Sequence, residues 1–234
     1  VYVETPKVEP NGYTSATDPR ELIDIVRDIR LKSETILPAN FPKTEVDCSG
    51  NKSIAIEGGS LARKVDIVPA AWYDTIDYQK TSAEHYRGVS IYHKADHDIL
   101  MNYPFKHIKS VDDKDAYYNG NLKCVIRLLK NIIADMPDYK KRTAKKLSSY
   151  DLAAIGYHME EDLHLLEYMR LGLVERTRAH LHKLLLSSEL RESLMVPDDT
   201  RKIFDDEKKV EALEVLYKEC DDLAFAIFKE LKPL

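Results

Sequence analysis

The chain has 234 residues, of which 44% are hydrophobic and 32% charged, and a formal net charge of -5. That length suits one large or two modest domains with a sizeable core. The acidic balance excludes a globally basic nucleic-acid binder and leaves room only for a local basic groove, so double-stranded nucleic acid is not expected as a partner. No run approaches the ~18 consecutive apolar residues that a membrane helix needs, and no membrane partner is expected.

The three cysteines, Cys48, Cys124 and Cys220, are odd in number and widely spaced. They fit neither a disulfide framework nor a CxxC zinc site, which points to a reducing, cytoplasmic setting. The first residues carry no signal-peptide pattern. They read "VYVE", a β-branched and aromatic strand pattern, so the expectation is the ordered remainder of a longer protein.

In chain order, "DPRELIDIVRDIRLKSE" offers Asp18 as a cap, Pro19 at the first helical position, and apolar Leu22, Ile23, Val26 and Ile29. This predicts an amphipathic helix. Short strand-like pieces follow at 52–56, 63–70, 88–92 and 98–104, with Gly58-Gly59-Ser60 as a hairpin turn between the first two. From residue 119 onward the pattern is helical. Leu122, Val125, Ile126, Leu129, Ile132 and Ile133 recur at helical spacing, a basic loop runs over 138–146, and "SSYDLAAIGYHM" reads as another helix. A long helical stretch is expected over 159–188 and a last helix over 207–231. The predicted fold is therefore α+β: a small mixed sheet carrying helices over residues 1–118, then a helical bundle lobe over 119–234.

Several side chains invite a chemical reading. In "RKVDIVPA" (63–70), alternation sets Val65 and Ile67 on one face and Asp66 with Val68 on the other. A carboxylate in such a run is costly to desolvate unless it is paired, and a bound cation is one good partner. A solvent-facing Asp on an edge strand is the simpler account on composition alone, and Pro69 must end the strand or sit at an edge. Lys123, Arg127 and Lys130 fall at i, i+4 and i+7 on one helix face, either a solvated basic face or a row suited to a polyphosphate. Ser149 and Tyr150 stand at a helix start, where a Ser is most often an N-cap. "HKADHD" (93–98) reads as a polar hairpin tip rather than a metal site. His180 and His182 point to different helix faces, so they do not share a ligand. His158 and His164 are expected at the surface or satisfied by neighbours. The run Lys140, Lys141, Arg142, Lys145 and Lys146 is usually solvated, though it also suits RNA or an acidic or regulatory protein partner.

Taken in order, "KVDIVPA", then Asn102-Tyr103-Pro104 with His107, then Lys123-x-x-x-Arg127-x-x-Lys130, then Ser149-Tyr150 resembles the cGAS/DncV-like nucleotidyltransferases. These are relatives of the oligoadenylate synthases within the polymerase-β-like superfamily. The resemblance spans about residues 46–158, and beyond them the likeness is one of helical character. It implies that Asp66 is the third metal-binding carboxylate, with Mg²⁺ or Mn²⁺ as cofactor and ATP or GTP as substrate. It further implies that Lys123, with Arg127 and Lys130 beside it, contacts the phosphates, that Ser149 meets the triphosphate and that Tyr150 stacks on a nucleobase. The implied activity joins nucleotides into a cyclic or short linear signalling oligonucleotide, in bacterial antiphage defence.

The family also needs a Gly-Ser turn and an Asp-x-Asp pair on a preceding strand, and that pair is not found. Gly59-Ser60 precedes Asp66 but fits the third-carboxylate hairpin better, and "ETPKVE" has no acids at i, i+2. Either the pair lies upstream of Val1, or the chain is an inactive relative that binds nucleotide or protein. A third reading keeps the chemistry but transfers to a tRNA end or a protein side chain.

Overall fold

Pro69 has no N–H to give to a ladder, and it divides what reads as a single strand into two strands of two different sheets. The structure, a computed structural model, describes residues 2–3, 20–42 and 44–231. Its first compact unit runs from Val1 to Lys106 and its second from His107 to Leu234. The sequence had placed the division at 118/119. The contacts instead divide inside a helix whose first residues follow directly on a hairpin.

In the first unit, helix α1 (Leu22–Asn40) carries the predicted amphipathic stretch and continues past Pro38. The expected Asp18 cap and Pro19 start lie outside the described residues. Val26 and Arg30 are the buried positions of α1, while Ile29 is exposed. The inward face is therefore partly ionic. Arg30 donates to Glu34 at 2.8 Å and to the backbone carbonyls of Gly50 at 2.8 Å and Cys48 at 3.3 Å. Lys94 reaches the same Glu34 at 2.9 Å.

Strands β1 (Tyr2–Val3), β2 (Thr44–Asp47), β3 (Ile54–Gly58), β4 (Val65–Ile67), β5 (Ala70–Asp74), β6 (Arg87–His93) and β7 (Asp98–Asn102) form two sheets. One is antiparallel with order β2-β3-β4. The other has order β1-β5-β6-β7, with β1 parallel to β5 and the rest antiparallel. The Gly-Gly hairpin is present: Gly58 and Gly59 take φ of 86° and 61°, which an L side chain rarely adopts, and β3 pairs with β4. Strands β2 and β5 and the short helix α2 (Ile76–Thr81) were not anticipated. The 93–98 segment is the polar tip of the β6–β7 hairpin, as expected.

Helix α3 (Pro104–Tyr117) leads into the second unit, which holds α4 (Asn121–Asp135), α5 (Asp138–Ala144), α6 (Ser149–Tyr157), α7 (Gly172–Leu186), α8 (Ser188–Ser193) and α9 (Glu207–Leu231). All six apolar residues anticipated in α4 are buried, and α4 packs on α6, α7 and α9. Burying such a stripe contributes roughly 1.5–3 kcal/mol per large side chain. Helix α9 has the predicted bounds. Two expectations are corrected. The "basic loop" is largely helix α5, because Pro137 at its N-cap and Asp138 in its first turn start a helix, and Lys140 ion-pairs with Glu219 of α9. The stretch 159–188 is not one helix. It breaks into 3₁₀ turns at Glu160–Leu163 and Glu167–Met169 before α7 begins. No helix among the described residues is long and apolar enough to cross a membrane, and the three cysteines are free thiols.

Candidate nucleotide-binding site

Asp66 is the middle residue of β4, opposite Ala55 of β3. Among the described residues β4 pairs with β3 alone, at the edge of the small sheet. Val65 and Val68 are themselves 41% and 44% exposed, and Asp66 between them is exposed to solvent. Its carboxylate has no ion-pair partner among the described residues. As a hard, unengaged oxygen donor it fits one ligand position of a magnesium or manganese ion, which wants several such oxygens. No group of three or more His, Cys, Asp or Glu side chains gathers to hold a metal among the described residues. Asp66 is thus one candidate ligand and not a metal centre.

In the second unit the other candidates fall on two packed helices, α4 and α6. Gly156 makes that packing close. A Cβ there would lie 3.2 Å from Leu122 and 3.3 Å from Val125. On α4, Lys123 is half-exposed, and its ammonium sits 2.9 Å from Asp112 and 3.7 Å from Asp115, both on α3. The hydrogen bond to Asp112, with Asp115 behind it, holds the lysine above its ordinary range. Arg127 is exposed and donates to Cys124 Sγ at 3.2 Å. Lys130, also exposed, lies two turns beyond Lys123, about 10 Å along the axis.

On α6 the cap is Ser148, one residue before the Ser expected to do that work. Ser148 Oγ accepts from the Asp151 N–H at 3.2 Å, and Asp151 accepts from the Ser148 N–H at 2.8 Å, a reciprocal capping box. Ser149 is therefore not spent on capping and is exposed. Asp151 is fully buried, and its other oxygen accepts from Arg201 at 2.7 Å and meets Lys209 at 3.4 Å. Asp205 bridges to Lys209 at 2.6 Å. Burial opposes its charge, but Lys209 and Arg201 hold its carboxyl below the usual range. This ionic knot fixes the helix start that carries Ser149 and Tyr150.

Tyr150 is half-buried and stacks on His107 of α3. Burial pushes the His107 imidazole below its ordinary pKa. Asp198 pulls it up, and the charges of Arg201 and Lys130 push it further down. The structure thus stacks Tyr150 on His107, whose imidazole feels the charges of Asp198, Arg201 and Lys130, while Lys123 stands in the first turn of α4 beside Asp112 and Asp115 of α3. Sequence reasoning missed Asp198 and Arg201. They sit in "PDDTR", between helices, with no periodic signal. His180 proves to be buried, and His182 stacks on Tyr217. His158 Nε2 donates to the Met195 carbonyl, 2.7 Å away, and His164 pairs with Glu161, as expected of satisfied histidines.

Residues 109–223 match the cGAS/DncV-like nucleotidyltransferase C-terminal helical domain. The chain is 38% identical, over 210 residues, to the cyclic dinucleotide synthase CdnE of Yersinia aleksiciae, a match covering 89% of this chain and 55% of that protein. The chain belongs to the cGAS/DncV-like nucleotidyltransferase family. It is also similar to a c-di-GMP synthase of Flavobacteriaceae sp. genome_bin_11, with 32% identity over 208 residues, 86% of this chain and 54% of that protein. Among solved structures it resembles a STING-associated CdnE c-di-GMP synthase from Flavobacteriaceae sp., with a TM-score of 0.69, 30% identity, and coverage of 91% of this chain and 59% of the other. The chain spans about half the length of the curated relatives it matches. The α+β architecture of the family is the one described above.

Proposed function

We propose that the chain is a nucleotidyltransferase that joins nucleotides from ATP or GTP into a cyclic or short linear oligonucleotide messenger, in the cytoplasm and in the service of antiphage signalling. The observation that carries this is the packing of α4 on α6, which sets the Lys123–Arg127–Lys130 row and the Ser149–Tyr150 helix start on adjoining helices of one unit. The names of its relatives supply the product class.

In this reading a ribose hydroxyl gives up its proton to water as its oxygen attacks the α-phosphorus, the bond from that phosphorus to the bridging oxygen breaks, and pyrophosphate leaves. The cations of α4 offset the phosphate charge, and Tyr150 stacks on the base, a contact worth about 1–3 kcal/mol. A divalent ion, magnesium or manganese, held in part by Asp66, would neutralise charge on the attacking and leaving oxygens.

The test is incubation of the protein with labelled ATP and GTP and Mg²⁺, with products resolved by mass. A cyclic or linear dinucleotide that is lost in Asp66→Asn supports the reading. Nucleotide binding without turnover would leave an inactive nucleotide-binding module, and label on tRNA or protein would change the acceptor. Neither binding nor product overturns the reading altogether.

A further inference from the structure

The rings of His107 and Tyr150 lie almost flat against each other, with centroids 3.8 Å apart and planes at 27°. The two residues come from different helices, α3 and the start of α6, so the stack is a tertiary contact and not a by-product of helical spacing. We propose that His107 is a positioning residue for Tyr150, backing the phenol ring so that it is presented to a nucleobase in one fixed plane. The inference rests on the reading of Tyr150 as the base-stacking residue.

Three features support it. The backbone at Tyr150 is already immobilised, because Asp151 next to it is wholly buried and tied to Ser148, Arg201 and Lys209. The side chain turns about two torsions, and a ring held against one face narrows their range before a ligand arrives. Ordering paid in the free protein is not paid on binding. Second, His107 is itself held. It is 9% exposed, on the first turn of α3 after Pro104, so it acts as a wall rather than a second mobile ring. Third, burial keeps the imidazole uncharged near neutral pH, and Asp198 does not reverse that. The pair therefore behaves as an aromatic stack with no added cation beside the base. The Nδ1 of His107 is buried without a hydrogen-bond partner among the described residues, a cost that the fold carries at this position and that an apolar ring would not incur.

The test measures affinity for a fluorescent GTP analogue by anisotropy, and affinity for inorganic tripolyphosphate by its competition with that analogue, together with melting temperature. The proteins compared are the unaltered chain, Tyr150→Leu, His107→Leu and His107→Phe. Tyr150→Leu should weaken the GTP analogue about 5-fold or more. His107→Leu should weaken it about 2- to 12-fold, the range of a stacked aromatic pair, and His107→Phe should restore it to within about 2-fold. Tripolyphosphate, which has no base, should bind all four alike. If Tyr150→Leu weakens the analogue while His107→Leu does not, His107 is no positioning residue, although the nucleotide-binding reading survives. If His107→Phe binds as poorly as His107→Leu, or tripolyphosphate weakens in parallel, the role is structural and the proposal is overturned. If Tyr150→Leu changes nothing, the base-stacking reading falls, and this inference falls with it.

Discussion

His180 should make the protein measurably weaker in mild acid. It lies inside α7, 6% exposed, with Nε2 buried and without a hydrogen-bond partner among the described residues. Burial is the main reason its pKa falls from 6.5 to about 4. Asp162 and the Ile155 backbone pull it up, and Lys183 and His158 push it down. An unfolded histidine takes its proton near 6.5. Between those two values the unfolded chain binds a proton that the folded chain refuses, so stability falls as the pH drops from 6.5 toward 4 and is flat on either side. At pH 5.0 the accumulated loss is about 2 kcal/mol. The carboxylates held low by ion pairs, Glu34, Glu175 and Asp205, are lost mainly below that window. His107 is shifted in the same direction as His180 but is present in both proteins of a comparison. Urea unfolding of the unaltered chain and of His180→Phe, each at pH 7.5 and 5.0, isolates the term. The unaltered chain should lose ~2 kcal/mol more than the variant on acidification. Equal losses would refute the claim that the imidazole is buried neutral.

Two further predictions concern the residues that fix the candidate site and the first unit. Ser148→Ala should cost ~1 kcal/mol of stability in thermal unfolding, whereas Ser149→Ala should leave stability unchanged yet weaken triphosphate binding; the reverse order would mean that the cap is misassigned. Arg30→Met should cost about 1–3 kcal/mol, since it strips the donor from the Gly50 carbonyl while Lys94 still serves both Glu34 and the Cys48 carbonyl. The single tryptophan, Trp72 on β5, lies in the same unit and reports its unfolding in urea. An unshifted midpoint would show that Arg30 does not tie α1 to that loop.

The parts of the fold that were legible in the sequence are those whose burial repeats with a period. Helices α4 and α9 have one apolar stripe each, long enough that no other element satisfies it. Strand β4 reads as running on to residue 70 because "VDIVPA" keeps its apolar character across Val68, whereas it ends at Ile67, before Pro69, and β5 (Ala70–Asp74) carries no alternation that announces it. The stretch 159–188 failed for the opposite reason. Leu163 and Leu166 stand at helical spacing, but Leu166, with Leu165, lies between two 3₁₀ turns, where the backbone is not helical. At the candidate site, motif order singles out Lys123, Ser149 and Tyr150, yet nothing local could reveal what surrounds them. Asp198 lies 91 positions from His107, and its effect there is a product of tertiary packing alone.

The same limit applies to Lys123, where packing changes the chemistry a basic row implies. Helix α4 starts after Gly120, a residue with φ of 83° and no side chain to cap the exposed N–H groups. The missing acceptor comes from α3. Asp115, 8% exposed, takes the backbone N–H of Lys123 at 2.8 Å, the work that a capping Ser or Asp does elsewhere. Asp115 therefore cannot swing away without uncapping α4, and its charge stays beside the Lys123 ammonium. Asp112 is different. It is half-exposed and meets Lys123 through a solvated ion pair, an arrangement that contributes little in water. A polyphosphate carrying several charges needs to displace only that second partner. Lys123 is thus held by one carboxylate that the helix requires and one that costs little to exchange, which is compatible with a lysine placed in advance for an anionic ligand.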